Sequence, residues 1–128
     1  MTIEYRLPFP PSFNHAWRAV ARRIVLSESA RHYALEINNA LPKGKVEPIL
    51  GPLAVTLTLH PPRKLRNLVW DVANREKLLF DCFTKSKVWW DDSQVDDCRL
   101  LRGRYLPEHS DGLAIVRITR LDDSLTSA

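Results

Sequence analysis

Cysteine is scarce in this chain and long apolar runs are missing. The two cysteines, Cys82 and Cys98, fall in segments that read as a helix and a strand, and their spacing fits neither a zinc site nor a redox pair. Buried free thiols are the expectation. No stretch approaches the roughly 20 apolar residues that a membrane-spanning helix needs, so no membrane partner is expected. The opening Met-Thr-Ile-Glu-Tyr-Arg has neither an apolar core nor a small-residue cleavage site; no secretion signal is expected, and cytoplasm is the default compartment. Internal repeats and low-complexity tracts are absent as well, which excludes a repeat array.

What is present fits one ordinary globular domain. With 128 residues, 45% hydrophobic and 27% charged, the chain is large enough to bury a core without staples. Its 19 Lys and Arg exceed its 15 Asp and Glu, a net charge of +4. Such a surplus attracts polyanions only weakly, and where the charges sit matters more than their sum.

Periodicity gives the elements. Ile3, Tyr5 and Leu7 alternate with Thr2, Glu4 and Arg6 as in a half-buried strand. Pro8, Pro10 and Pro11 then break regular structure, and a loop from Ser12 to Arg18 offers Asn14, His15, Trp17 and Arg18 as groups able to contact a ligand. Ser27 and Ser29 precede a helix whose buried face is Ala30, Tyr33, Ala34, Ile37 and Leu41, closed by Pro42 and Gly44. Leu53, Val55, Leu57 and Leu59 point one way along the clearest strand, which runs into His60-Pro61-Pro62. Leu100-Leu101 belongs to a further strand, and Leu113 to Leu121 supplies the last. The order strand, helix, strand, helix, strand, strand predicts an α+β domain, a mixed sheet with helices mainly on one face, over 1–121 with a frayed tail at 122–128.

The chemistry concentrates between the third element and the fifth. Arg63, Lys64 and Arg66 put three cations into four residues. A charge run is usually a solvated surface, but this one sits between a strand end and an acidic constellation, where it suits phosphate. The segment Asp71 to Ser86 reads as a helix, with Val72, Leu79 and Phe83 as a core stripe and Ala73, Asn74, Lys77 and Asp81 opposite; Ala73 and Lys77, four apart, then share a face. Trp89-Trp90 lead into Asp91-Asp92. The tryptophans are core anchors or part of a dimer surface, and the paired carboxylates form either a turn or a cation site.

The run Asp71-Val-Ala-Asn74-Arg-Glu-Lys77-Leu-Leu-Phe-Asp81-Cys-Phe-Thr84-Lys85, followed by Val88-Trp-Trp-Asp91-Asp92-Ser-Gln94-Val95, resembles the RusA family of Holliday junction resolvases. Leu7-Pro-Phe-Pro-Pro11-Ser12-Phe-Asn14 resembles that family's Pro-Pro-Ser-x-Asn opening, so the likeness reaches from Leu7 to Val95. It implies a RusA-like α+β fold and a small homodimeric endonuclease, found in bacteria and prophages, that nicks four-way DNA junctions symmetrically with Mg2+ and uses no small-molecule cofactor. The metal ligands implied are Asp71, Asp91 and Asp92, with Lys77 catalytic beside them and Asn74 bracing a ligand or a bound water. DNA contacts are implied for Arg63, Lys64 and Arg66, and are expected of Asn14, Arg18 and Lys85.

The family pattern departs at two places. Its second helix-motif aspartate falls on Ala73, and Asn67-Leu68-Val69-Trp70 stands where arginines often lead straight into the first aspartate. Phosphodiester hydrolysis needs an activated water and a partner for charge building on the phosphate, which carboxylate-bound magnesium supplies. Losing one carboxylate weakens metal binding and slows cleavage while sparing DNA binding. Everything around Ala73 keeps the family form, which favours an inactivating substitution over a natural departure with another acid compensating. Two other classes stay open: a branched-DNA-binding protein without catalysis, and a structural protein whose Asp-Asp turn is only a turn.

Overall fold

A computed structural model of the chain describes residues 2–11, 17–20, 23–26, 28–42 and 47–121, with 17–20 and 23–26 described as backbone. The elements in order are β1 (Thr2–Leu7), β2 (Trp17–Val20), β3 (Arg23–Leu26), α1 (Glu28–Ala40), β4 (Leu53–His60), α2 (Glu76–Lys85), β5 (Val95–Arg102) and β6 (Leu113–Arg120). Four strands make a sheet in the order β1-β6-β4-β5, while β2 and β3 pair as a separate antiparallel hairpin. Within the sheet β6 is antiparallel to both β1 and β4, and β4 is parallel to β5. This is the expected α+β architecture with a mixed sheet.

Alternation along the strands decides which face is covered. Leu53, Val55, Leu57 and Leu59 are buried, and the register sets Val55 beside Ile118, Leu57 beside Val116 and Leu59 beside Ala114, all buried too. Ala30, Tyr33 and Ile37 of α1 and Leu79 and Phe83 of α2 complete one continuous core with them. The Tyr33 hydroxyl donates to the Pro8 carbonyl at 2.8 Å, and burial first of all pushes its pKa well above the ordinary tyrosine value.

β5 is harder to read from sequence because its alternation slips. The pairing jumps from Leu53 with Val95 to Ala54 with Asp97, leaving Asp96 as the extra residue of a bulge. The slip puts Val95, Cys98 and Leu100 on the same side as Leu53, Val55 and Leu57.

Four expectations are corrected. The second helix starts at Glu76 rather than Asp71, because Asn74 takes a left-handed φ of 70° that a continuing helix does not allow. Ala73 therefore lies in a turn ahead of the helix and shares no helical face with Lys77. Trp17 and Arg18 belong to β2 and not to a loop. Cys82 is a buried thiol, its pKa pushed up to about 11 by burial and then by Asp81, but Cys98 is exposed on β5, at the sheet edge where little covers it. Of the two tryptophans Trp89 is fully buried and Trp90 is 55% exposed, so only the first anchors the core. The tail 122–128, and Ser27 before α1, lie outside the described residues.

Trp89 holds the chain that follows α2 against the core. Its ring meets Phe80 and Phe83 edge-on at 5.2 and 5.3 Å between centroids, and its Nε1 donates to Thr84 Oγ1 at 2.8 Å. Trp89→Ala is expected to cost about 3–5 kcal/mol in urea unfolding, the range for removing a buried large aromatic; Trp89→Phe, which keeps most of the packing, should cost less.

Candidate functional site

The acidic turn is built by one glutamine. Asp91 begins a one-turn helix, Asp92–Gln94, and its carboxylate accepts from the Ser93 backbone N–H at 3.4 Å. Gln94 Oε1 accepts the backbone N–H of Trp90 and Asp91 at 2.8 and 2.9 Å. Its Nε2 donates to the carbonyls of Ile49 and Gly51, both at 2.9 Å. The Gln94 side chain thus supplies one half of a capping box, with the Asp91 carboxylate supplying the other, and ties the turn to the chain leading into β4. Hydrogen bonds from Ser93, and more weakly from Asp92, hold Asp91 below the ordinary aspartate range. The resulting stability is present above the ordinary aspartate pKa and fades as pH falls through the lowered one. Asp91 and Asp92 are both exposed.

A second half precedes α2. Asp71 and Ala73 are exposed, Asn74 is half-buried, and Lys77 is exposed in the first turn of the helix. What fixes this segment is Arg75, whose side chain is only 9% exposed. Its Nε donates to the Asp71 carbonyl at 2.6 Å and its Nη1 to the Pro10 carbonyl at 3.0 Å. The guanidinium also lies 5.0 Å from the Phe9 ring centroid and 5.5 Å from that of Trp70. On Trp70 a second cation stacks, Arg102 at 4.3 Å, which also donates to the Trp70 carbonyl at 2.8 Å. Burial above all, and also Arg102, lowers the Arg75 pKa, against a raising effect of Asp71.

The basic run forms one wall of a cleft. Arg63–Leu65 is a one-turn helix with Arg66 at its end, anchored where the Arg63 N–H donates to the Ser110 carbonyl at 2.8 Å. The Arg66 guanidinium sits 5.5 Å over the Tyr105 ring. A cleft of about 1120 Å³ opens between this turn, Pro10-Pro11, α1 and Ser110-Asp111, and Arg63, Lys64, Arg66 and Arg75 all line it. Gly112, at φ +89°, lets the chain pass beside Phe9, since a Cβ there would stand 2.7 Å from the Phe9 Cβ.

Of the residues singled out from sequence, the fold brings Arg63, Lys64 and Arg66 together around one cavity. Lys85 stands apart at the end of α2, in an ion pair with Asp81 at 3.0 Å. Arg18 lies on the separate β2–β3 hairpin, and Asn14 falls outside the described residues. Among the described residues no three Asp, Glu, His or Cys side chains gather as a metal cage. With Ala73 contributing no donor, the groups present do not complete a site for a divalent ion. Arg75 and Gln94 were missed as determinants. The signal for Gln94 was its place three residues after Asp91, the spacing of a capping box; Arg75 had none, because its partners are backbone carbonyls, which any residue type supplies.

Known proteins share this arrangement of sequence. The family model for endodeoxyribonuclease RusA matches residues 8–116. The chain is similar to the crossover junction endodeoxyribonuclease RusA of Shigella sonnei (strain Ss046), 29% identical over 102 residues that cover 79% of this chain and 82% of that protein. The protein of the same name from Escherichia coli O139:H28 (strain E24377A / ETEC) is 28% identical over 123 residues, 95% of this chain and 98% of its own. That of Enterobacteria phage 82 is 29% identical over 102 residues, 79% and 82% of the two chains.

The Gln94 clamp has a testable consequence. Gln94→Ala is expected to lower stability by about 1 kcal/mol in urea unfolding, since most of the groups it releases are exposed enough to find water. Gln94→Glu should be no better, because a carboxylate accepts the two N–H groups but donates to neither carbonyl. Full stability in Gln94→Glu would show that the Ile49 and Gly51 bonds contribute nothing.

Proposed function

We propose the function on one premise: this chain belongs to the endodeoxyribonuclease RusA family, whose model spans residues 8–116. The matched span carries the reading, because it runs through the Pro-Pro opening, the basic turn, the Asp71–Lys77 segment and the Asp91–Asp92 turn alike. RusA homologues are endodeoxyribonucleases, and a crossover-junction enzyme implies branched DNA as substrate. The finer reading is a Mg2+-dependent, structure-selective endodeoxyribonuclease that resolves four-way junctions by paired symmetric nicks. As written, with Ala73, the chain binds such junctions and cuts them poorly or not at all.

The residues divide the work as follows. Asp71, Asp91 and Asp92 are the proposed ligands, with Ala73 as the gap in their set. With a carboxylate restored at residue 73, a divalent ion held there would supply charge stabilisation and an acidified water. Lys77, exposed in the first turn of α2, offers an ammonium to the charge that grows on the phosphate. Asn74 is proposed to brace a ligand or a bound water from behind. Arg63, Lys64 and Arg66 hold the backbone of the bound strand, with Asn14, Arg18 and Lys85 as proposed outer contacts.

The substrate asks for two-fold symmetry. A four-way junction is resolved by cuts in opposed strands, and an isologous dimer presents two identical sites about one axis. We therefore read the protein as a homodimer. Several large apolar side chains beside the candidate site are open to cover: Val69 is fully exposed, Leu68 61% and Trp90 55%. No helix among the described residues is long and apolar enough to cross a membrane. As an enzyme acting on DNA, the protein is placed by this reading in the cytoplasm.

A second reading is favoured by one observation, the missing carboxylate at residue 73: a junction-binding protein of the same fold without catalysis. The two separate on a labelled four-way junction incubated with and without Mg2+. The resolvase reading expects Ala73→Asp to raise paired symmetric nicking by on the order of 100-fold, the scale on which one electrostatic group at a reacting centre is felt. It also expects this variant to bind the junction less tightly than the parent when metal is withheld, since a new anion faces the phosphates. Tight binding without nicks by Ala73→Asp would establish the non-catalytic reading instead.

A further inference from the structure

Arg75 is the one charged side chain among the described residues that is buried, and neither of its hydrogen bonds goes to a carboxylate. Burying a cation without a counter-charge is costly, and the usual compensation is an ion pair. Here two carbonyls and two ring faces hold the group, while Asp71 acts on it as a nearby charge and not as a hydrogen-bonded carboxylate, which fixes its position and leaves donors over. A guanidinium carries five N–H donors, and those two bonds occupy two of them. The side chain lines the cleft, so the remaining donors have an outlet.

The cleft is cationic. Arg63, Lys64 and Arg66 stand around it with Arg75, against Glu36 of α1 and Asp111 as the acids that face the same space. The outer three cations are exposed, and exposed cations alone mark only a solvated surface. The inner one differs, because its guanidinium is anchored before any ligand arrives and loses little freedom on binding one.

We propose that this cleft is a phosphate subsite for a nucleic-acid strand, with Arg75 as its anchored recognition group and Arg63, Lys64 and Arg66 as its outer cations. The inference rests on the nucleic-acid reading above and deepens it. A phosphodiester oxygen seated on Arg75 receives the charge-assisted bonds that a guanidinium makes best. Through Nε the same side chain holds the Asp71 carbonyl, so the strand seated in the cleft is placed one side chain away from the proposed reaction centre. Arg75 is thus a binding residue for the strand and a positioning residue for Asp71.

The test is a salt series on the full chain, with a labelled four-way junction and a matched duplex, in chelator so that nothing is cut. Each phosphate contact contributes about 0.9 to the slope of log affinity against log salt. Arg75→Met should weaken junction binding about tenfold and flatten that slope by about 0.9, while Arg75→Lys keeps most of the slope. Glu36→Lys, on the exposed face of α1, probes the cleft without touching the buried group. It should steepen the slope by a similar amount, whereas Glu4→Lys, on the sheet face away from the helices, should leave it unchanged. If Arg75→Met does not fold, the Glu36→Lys and Glu4→Lys pair decides. An unchanged slope in a folded Arg75→Met, or Glu36→Lys and Glu4→Lys alike in effect, overturns the subsite. A parent protein that binds junction and duplex equally overturns the junction-selective reading, yet leaves the slopes to judge the subsite; no salt-dependent DNA binding at all overturns both.

Discussion

Parallel pairing of β4 with β5 is the constraint on which the rest depends. Parallel neighbours have no short turn between them, so the chain must leave the sheet after His60 and return before Val95 by a crossover. That excursion carries Arg63, Lys64, Arg66, Asp71, Ala73, Lys77, Asp91 and Asp92. Its stability comes from α2 and Trp89 in the core, and its functional side chains come from the stretches on either side of α2. These groups are therefore on irregular backbone or a first helical turn, tied to a rigid frame at a few points. Arg75 is one tie, Gln94 another, and the Arg63 N–H bonded to Ser110 a third.

These ties differ in chemistry, and the differences bear on function. Gln94 is neutral and uses both ends of its amide on backbone, so it shapes the acidic turn without adding charge to it. Arg75 is charged and uses only part of its donor set on backbone, so it shapes its segment and still has something to offer a ligand. Around them stand the exposed carboxylates of Asp71, Asp91 and Asp92 and the exposed cations of Arg63, Lys64 and Arg66. The proposed metal-assisted phosphodiesterase would bring both together, and a missing carboxylate would tip the balance toward holding the phosphate without cutting it.

Much of this was legible in the sequence. Strict alternation made β4 and β6 plain, the spacing of Ala30, Tyr33 and Ile37 gave α1, and the motif residues marked the excursion that holds the candidate site. The misses have physical causes. Asn74 has a left-handed backbone that apolar periodicity cannot reveal, so α2 was drawn five residues too long at its start. The bulge at Asp96 breaks the period of β5, which left only Leu100-Leu101 as a trace of that strand. The four-residue strands of the β2–β3 hairpin are too short for periodicity to act on, and Cys98 faces the core side of an edge strand that covers it poorly. Arg75 was invisible because a cation recognised by carbonyls leaves no complementary acid in the sequence to point to it.

The proposed function turns on residue 73 as an empty ligand position beside the proposed ligands Asp71, Asp91 and Asp92. Calorimetric titration of Mg2+ and of Mn2+ into the DNA-free protein tests it without relying on cleavage, comparing the parent chain with Ala73→Asp and with Ala73→Asn. The account expects weak or undetectable binding by the parent and at least a tenfold gain for the aspartate, with little gain for the uncharged asparagine. Equal metal affinity in all three proteins would contradict it.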